Sequence, residues 1–434
     1  MADPFTHYCA SRREFLGYSG ALLASTIESP HVHALDPRRA NSQQLAAVQA
    51  LLERVLPQHA SQLHLEHVAP SSNEFCRITG SVGNLRIAGS TISALLMGVH
   101  WYLKYVAGVC LSWNGDSLNH LPEMLPAPAA SIQIRANGQH RFALNDTNDG
   151  YTGPFWTWED WQRLIDVLAL HGINEVLLYI GSEAVYQRTL RAFGYTDNEI
   201  LAWLPTPAHQ PWWLLQNLSS WVGPSVSQHL IDLRLALAGK IAARLRELGM
   251  QPVLPGYYGI VPAGFAGRNP AARVIPQGDW LGMKRPDWLD PTCDFFTEVA
   301  AEYYRVQAEL LGATQMFKMD PLHEGGQSGG IDLGHAAGRI ESALQSAHPG
   351  ATWAIRFWCK YVREAQQGPR RSKDYAASTA FQIAGAVWFL RWRRPRANCP
   401  LRIRRSSSIP AMVVAAQSKS LKPSIGPIRD LIPR

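Results

Sequence analysis

Apolar positions recur at spacings of three and four over Leu45 to Leu56 and Thr91 to Val106, where Ile92, Leu95, Leu96, Val99 and Leu103 share one helical face. Between these stretches, Gln62 to Val68, Phe75 to Gly80 and Asn84 to Ala88 alternate with the period of half-buried strands. The pattern predicts a small α/β domain over residues 38–135. Near its end Leu121-Pro-Glu-Met-Leu-Pro-Ala-Pro-Ala129 reads as a linker by composition.

From Arg141 the pattern changes to strand, helix, strand, helix. The predicted strands are Phe142 to Asp146, Glu175 to Ile180, Gln251 to Pro255, Gln315 to Met319 and Thr352 to Trp358. Amphipathic helices are predicted over Trp158 to His171, Ala184 to Phe193, Gln228 to Gly249, Phe295 to Leu311 and His335 to Ala347. This alternation is what a parallel sheet covered by helices requires. No glycine-rich phosphate loop follows any of the strands, so a nucleotide fold has no support. The expected fold class is α/β, a small N-terminal α/β domain followed by an incomplete (β/α) TIM-like barrel, the N-terminal portion of a catalytic barrel, over residues 140–360.

Composition and charge alter this picture mainly at the two ends. The chain has 434 residues, 46% hydrophobic and 17% charged, and its six cysteines show no CxxC or Cys/His spacing. Neither a disulfide scaffold nor a zinc module is indicated. Beyond the first 40 positions no apolar run is long enough to span a membrane. The net charge of +7 is concentrated in residues 361–434, which hold 15 Lys+Arg and 3 Asp+Glu and leave 26 against 31 for the rest. This basic tail, where Trp388-Phe-Leu-Arg-Trp-Arg-Arg-Pro-Arg396 interleaves tryptophan with arginine, could be a nucleic-acid arm. The favoured reading is a disordered or out-of-frame segment, with no nucleic-acid partner expected. At the other end Ser11-Arg12-Arg13-Glu14-Phe15-Leu16, a mildly apolar stretch and Val32-His33-Ala34 read as a twin-arginine signal over residues 1–34, which implies a periplasmic or secreted protein.

In (β/α) barrels the chemistry sits on loops after the C-terminal ends of the strands. Those loops offer Asn145, Asp146, Asn148, Asp149, Tyr151 and Trp156, then Gly181 and Glu183, then Trp212, Trp213, Asn217 and Trp221. Tyr257, Tyr258, Trp280 and Trp288 follow, then Asp320, His323 and Glu324, and finally Trp358. Tryptophans stack on the C–H faces of sugar rings, and amides and carboxylates pair with their hydroxyls. Glycosidic cleavage needs two carboxyls, one protonated for the leaving oxygen and one ionised. Glu324, after an apolar strand and before Gly325-Gly326, is the best acid candidate. Each candidate also has a plainer reading. Trp156, Trp158 and Trp161 are better placed as core, Glu183 could cap the helix beside it, and His323 suits a hydrogen-bonding partner better than a metal ligand.

At these residues the chain resembles glycoside hydrolase family 89, the α-N-acetylglucosaminidases. The stretch Trp156-Thr-Trp-Glu-Asp-Trp-Gln-Arg-Leu-Ile-Asp-Val-Leu-Ala-Leu-His-Gly-Ile-Asn174 and Gly181-Ser-Glu-Ala-Val-Tyr-Gln-Arg188 are similar to the family's "EIDWMALHGIN" and "GQEAIWQR". Asn217-Leu with Trp221-Val-Gly-Pro224 resembles "GNLHTWGGP", and Gly249-Met-Gln-Pro-Val-Leu-Pro-Gly-Tyr-Tyr-Gly-Ile-Val-Pro262 resembles "GMTPVLPAFAGHVP". Met319-Asp-Pro-Leu-His-Glu324 stands in the place of "ADTFNE". The resemblance implies an exo-acting, retaining hydrolase that releases terminal α-linked N-acetylglucosamine from glycans without metal or cofactor. By it Glu324 is the general acid/base. By it Asn145, Tyr151, Trp212, Trp280 and Trp358 match positions expected to line the sugar pocket, and Glu183, Asn217, Asp320 and His323 from the strand-end loops are further substrate-binding candidates. Thr147 stands where the family has Cys, and His323 where it has Asn. The family's nucleophilic glutamate comes later in its chain and has no match here, since Glu341 and Glu364, the only glutamates after Glu324, lie too early. The expectation is therefore a family 89 chain with little or no turnover, with a non-catalytic glycan-binding protein as the alternative.

Overall fold

The computed structural model describes residues 37–69, 73–146, 148–219, 225–323, 325–356 and 387–390. The expected signal segment, Thr147, Trp221, Glu324, Trp358 and nearly all of the basic tail lie outside them.

The first domain is one mixed sheet covered by two helices. Helix α1 (Pro37–Val55) precedes strands β1 (Leu63–His67), β2 (Phe75–Ser81) and β3 (Asn84–Gly89), and helix α2 (Ile92–Tyr105) follows. Thr91 caps α2, its side chain accepting from the Ala94 N–H at 3.0 Å. The two-residue strands β4 (Leu111–Ser112) and β5 (Gly115–Asp116) form a small hairpin, and β6 (Ile132–Arg135) then returns to the sheet, giving the order β1-β3-β2-β6. Val48, Leu51, Leu52, Ile78, Leu85, Ile87, Leu95, Leu96 and Val99 are fully buried between helices and sheet.

The segment expected as a linker is part of this domain. Leu125 is fully buried. Gln62 donates to the Glu123 carbonyl and accepts from the Leu125 N–H, both at 2.8 Å, and the Tyr102 hydroxyl donates to the Pro126 carbonyl at 2.8 Å. Proline-rich composition identified an irregular backbone, but the irregular backbone is satisfied by side chains and does not act as a free spacer.

The second unit is built on five parallel strands in consecutive order: β7 (Phe142–Ala143), β8 (Glu175–Leu177), β9 (Gln251–Pro255), β15 (Met316–Lys318) and β16 (Thr352–Arg356). A sixth strand, β17 (Val387–Leu390), pairs antiparallel with β16. These four tail residues are the described part of the segment in which regular structure was not expected. Helices α3 (Trp158–Leu170), α4 (Ser182–Ala192), α7 (Gln228–Glu247), α9 (Phe295–Leu311) and α10 (Leu333–Ala347) connect the parallel strands. The parallel run is a half-barrel, in agreement with the expected fold class.

Two insertions interrupt the alternation of strand and helix. Between α4 and α7 lie α5 (Asp197–Trp203) and α6 (Gln210–Leu214). Between β9 and α9 lie β10 (Ile260–Val261), α8 (Phe265–Arg268), β11 (Val274–Ile275), β12 (Asp279–Trp280), β13 (Met283–Lys284) and β14 (Asp287–Leu289). β10, β14 and β11 make one sheet, and β12 and β13 make the hairpin that carries Trp280.

The two units share a continuous apolar core. Polar contacts fix their relative position: Arg54 of α1 and Arg244 of α7 both bind the buried Asp166 of α3, at 2.9 and 3.2 Å. Arg141, just before β7, binds Glu74 at 2.5 Å. Among the described residues no helix is long and apolar enough to cross a membrane.

Candidate active site

The loops at the C-terminal ends of the barrel strands converge on two buried ionic clusters. Lys318, the last residue of β15, points between the loop after β7 and the end of its own strand. Its ammonium lies 2.6 Å from Asp146 and 2.8 Å from Asp320, and 3.3 Å from the Tyr179 hydroxyl. Tyr179 in turn donates to Asp146. All four side chains are buried. Burial alone would push a lysine toward its neutral form, but the two carboxylates outweigh it and hold the ammonium above its usual pKa. One cation thus joins the ends of the first, second and fourth strands, in sequence directly before Glu324.

The second cluster surrounds Arg234 of α7. Its Nε donates to Glu183 at 2.6 Å, its Nη2 to Gln210 at 2.6 Å and its Nη1 to the Pro154 carbonyl at 3.1 Å. Gln210 also donates to Glu183, at 2.5 Å, and Glu183 accepts from the Gly181 N–H at 3.1 Å. Asp149 completes the group at a distance, 3.7 Å from Arg234. Burial raises the Asp149 carboxyl to about 7, Arg234 opposes the shift and Glu183 adds to it.

A third set of bonds orders the segment before Glu324. His323 and Asn217, both buried, meet through Nδ1 and Oδ1 at 3.2 Å. The buried Arg285 donates to the carbonyls of His323 and Gln216, each at 3.1 Å. Asp320, His323 and Asn217 are therefore brought together at the fourth strand's end. Above the first loop, the Tyr151 and Trp212 rings meet with centroids 4.9 Å apart. Tyr151 is 72% exposed and Trp212 half-buried, so the pair forms an accessible aromatic wall. Gly150 is required beneath it, because a Cβ there would stand 2.4 Å from the Trp212 ring.

Backbone strain marks the same places. Leu144, Gln216, Leu281 and Leu322 are the non-glycine residues with positive φ among the described residues, at 71°, 64°, 51° and 56°. Each is a chain neighbour of a candidate, respectively Asn145, Asn217, Trp280 and His323. Left-handed backbone at leucine costs free energy and persists where surrounding contacts impose it, which is typical of ligand-binding loops.

Of the candidates, Asn145 is exposed on the first loop, its N–H bonded to Asn148 Oδ1 at 2.8 Å, and Trp280 is half-buried on its hairpin. Glu183 does not face an open mouth. It is 2% exposed, with its oxygens bound by Arg234, Gln210 and the Gly181 N–H. Trp161 is core at 4% exposure, while Trp156 and Trp158 are half-buried against it. Glu324 and Trp358 lie outside the described residues. Sequence reasoning missed Lys318, Tyr179, Arg234 and Arg285. For Lys318 a signal was present, since a lysine within Met316-Phe-Lys-Met must find carboxylates when its strand is buried on both faces. Among the described residues no group of three or more His, Cys, Asp or Glu side chains could hold a metal ion.

The strand ends of this (β/α) half-barrel gather acids, amides and an exposed aromatic wall, which places the chain in the class of (β/α)-barrel proteins. Comparison with known proteins gives the family. Residues 141–380 match the α-N-acetylglucosaminidase (NAGLU) TIM-barrel domain, and residues 46–127 match the NAGLU N-terminal domain. The chain belongs to the α-N-acetylglucosaminidase TIM-barrel family. It is 28% identical over 329 residues to human α-N-acetylglucosaminidase, an alignment covering 73% of this chain and 44% of that protein. It is 32% identical to a family 89 glycoside hydrolase from Clostridium perfringens solved in complex with PUGNAc, with a TM-score of 0.71 over 74% of this chain and 38% of that one. A Clostridium perfringens variant with two glutamates replaced by glutamine, in complex with its substrate GlcNAc-α-1,4-galactose, matches at 31% identity and a TM-score of 0.72, over 78% and 38% of the two chains. The chain thus spans less than half the length of these relatives.

Proposed function

We propose that this chain carries the acid/base side of a retaining exo-glycosidase site for terminal α-linked N-acetylglucosamine, and that it binds this sugar. The observation carrying the proposal is the convergence at the strand ends. Lys318 ties the Asn145 loop to the segment leading into Glu324, and the Tyr151–Trp212 wall stands over the same loop. The clostridial relative's complex with GlcNAc-α-1,4-galactose supports the choice of sugar.

Glu324 acts in this reading as the general acid that protonates the leaving oxygen and later as the base that activates water. A retaining mechanism needs a second carboxyl about 5–5.5 Å away. Of the two glutamates after Glu324 in this sequence, Glu364 lies outside the described residues. Glu341 is on α10, away from the strand ends, where burial raises it to about 7 and Gln345 donates to it at 2.8 Å. Its place on the helix keeps it from being that second carboxyl. Export by the twin-arginine route is part of the proposal and is supported by Arg12-Arg13; a reporter fused to residues 1–34 should depend on that pair.

The test is binding and hydrolysis of an aryl α-N-acetylglucosaminide by the intact chain. Saturable binding supports the sugar assignment, and its absence would overturn it. Release that is lost in Glu324→Gln while binding persists supports the acid/base role, whereas release unchanged in that variant would overturn it. Binding without any turnover is what the non-catalytic reading predicts.

A further inference from the structure

Beside Asn145 a cavity of about 10 Å³ opens between the first loop and Trp156, Trp161 and Tyr179. Two buried polar groups on its wall have no hydrogen-bond partner among the described residues: both oxygens of Asp149 and the indole N–H of Trp161. Asp149 is 7% exposed and Trp161 is 4% exposed. Buried polar groups left unpaired cost about 1–3 kcal/mol each, so a wall with two of them is suited to a polar guest. The volume sets the size of that guest, because roughly 10–15 Å³ accommodates one water-sized centre and no ring.

The surroundings set its charge. Arg234 from α7 and Glu183 from α4 are the charged groups facing Asp149. The Arg234 Nε and Nη2 are committed to Glu183 and Gln210, and Nη2 stays 3.7 Å from Asp149. An anionic substituent would meet two carboxyls, and a cation would meet the arginine. A neutral hydroxyl has the chemistry to serve both, accepting from the indole N–H and donating to the carboxyl. Asn145 lines the same cavity and is exposed, so the wall leads from solvent to Asp149.

We propose that the Asp149 carboxyl and the Trp161 indole N–H together receive one unsubstituted hydroxyl of the bound saccharide, which makes Asp149 a specificity-determining residue of the mouth. The hydroxyl oxygen accepts from Trp161 Nε1–H, and its proton is donated to an Asp149 oxygen. A carboxyl oxygen accepts this proton whether or not the acid is ionised. The inference rests on the reading that this mouth holds N-acetylglucosamine.

The test is calorimetric titration of the intact chain with methyl α-N-acetylglucosaminide and its monodeoxy analogues. The unaltered chain should bind one analogue about tenfold more weakly than the parent sugar, the loss expected for one buried hydrogen-bonding hydroxyl. In Asp149→Ala that gap should close, and in Trp161→Phe it should narrow, while the ratios among the other analogues stay as they were. Those unchanged ratios also report that each variant has folded. Unaltered ratios in both variants would overturn the proposal and leave the cavity to a single water molecule. Failure of the unaltered chain to bind any of the sugars would instead overturn the reading of the mouth on which the proposal stands.

Discussion

The two clusters at the barrel mouth have the same ionic formula, one cation and two carboxylates, and opposite finish. Around Lys318 both acids are bonded, at 2.6 and 2.8 Å. Around Arg234 only Glu183 is bonded, at 2.6 Å, and Asp149 stays at 3.7 Å with both oxygens unpaired. A fully paired buried cluster can only hold its loops in place, since any further partner must displace one already there. A cluster with an unpaired acid has capacity left for something that arrives later. The first is a weld between strand ends, and the second is the place where the fold accepts a cost that a ligand can relieve.

Breaking the weld should have the largest effect. Lys318→Met removes from the buried Asp146 and Asp320 the cation they share and should destabilise the chain by about 3–5 kcal/mol in denaturant unfolding. Adding Asp146→Asn and Asp320→Asn should recover most of the loss. A comparable loss in all variants would show that packing, not charge, holds the site.

The unpaired acid predicts the opposite sign. The Asp149 pKa rises from 3.8 to about 7 on folding, so the folded state holds a proton that the unfolded chain has lost between those values. The stability tied to this group is fully present below about pH 4 and is lost as pH climbs through about 7. Asp149→Asn, which cannot ionise, should therefore unfold at higher temperature than the unaltered chain at pH 8. The gap should be on the order of 2–4 kcal/mol, closing toward pH 4. A gap that does not vary with pH would contradict the assignment.

Gly150→Ala sharpens the comparison from the aromatic side. The added methyl collides with Trp212 and should cost about 1–3 kcal/mol while displacing the Tyr151–Trp212 wall. Sugar-dependent tryptophan quenching should weaken more than stability does. Smallest of all, Arg54→Ala removes one of two arginines from Asp166 and should cost about 1 kcal/mol, because Arg54 is partly exposed and Arg244 remains.

Much of the architecture was legible in the sequence, and the reason is periodicity. β9 and α9 occupy Gln251–Pro255 and Phe295–Leu311, as the spacing predicts, because both have clear flanks and a regular apolar face. β7 and β8 are shorter than predicted, Phe142–Ala143 and Glu175–Leu177, because the chain turns into the mouth while its residues are still apolar or strand-like. The two-residue strands of the second insertion carry too few positions to show a period. The site was legible by type and position, through acids, amides and tryptophans after strand ends, but its pairings were not. Glu183 and Arg234 lie 51 residues apart on different helices, and Asp146 meets Lys318 across the two strands between theirs. Local spacing records neither contact. His323 and Asn217, 106 residues apart, show the same limit.

The central claim is that the half-barrel's mouth is a sugar site walled by Tyr151 and Trp212. The most direct test is a tryptophan-fluorescence titration of the intact chain with PUGNAc, the compound bound to the clostridial relative. The account predicts saturable quenching whose midpoint moves at least tenfold in Trp212→Ala. Absence of saturation in the unaltered chain, or a midpoint unmoved in the variant, would contradict it.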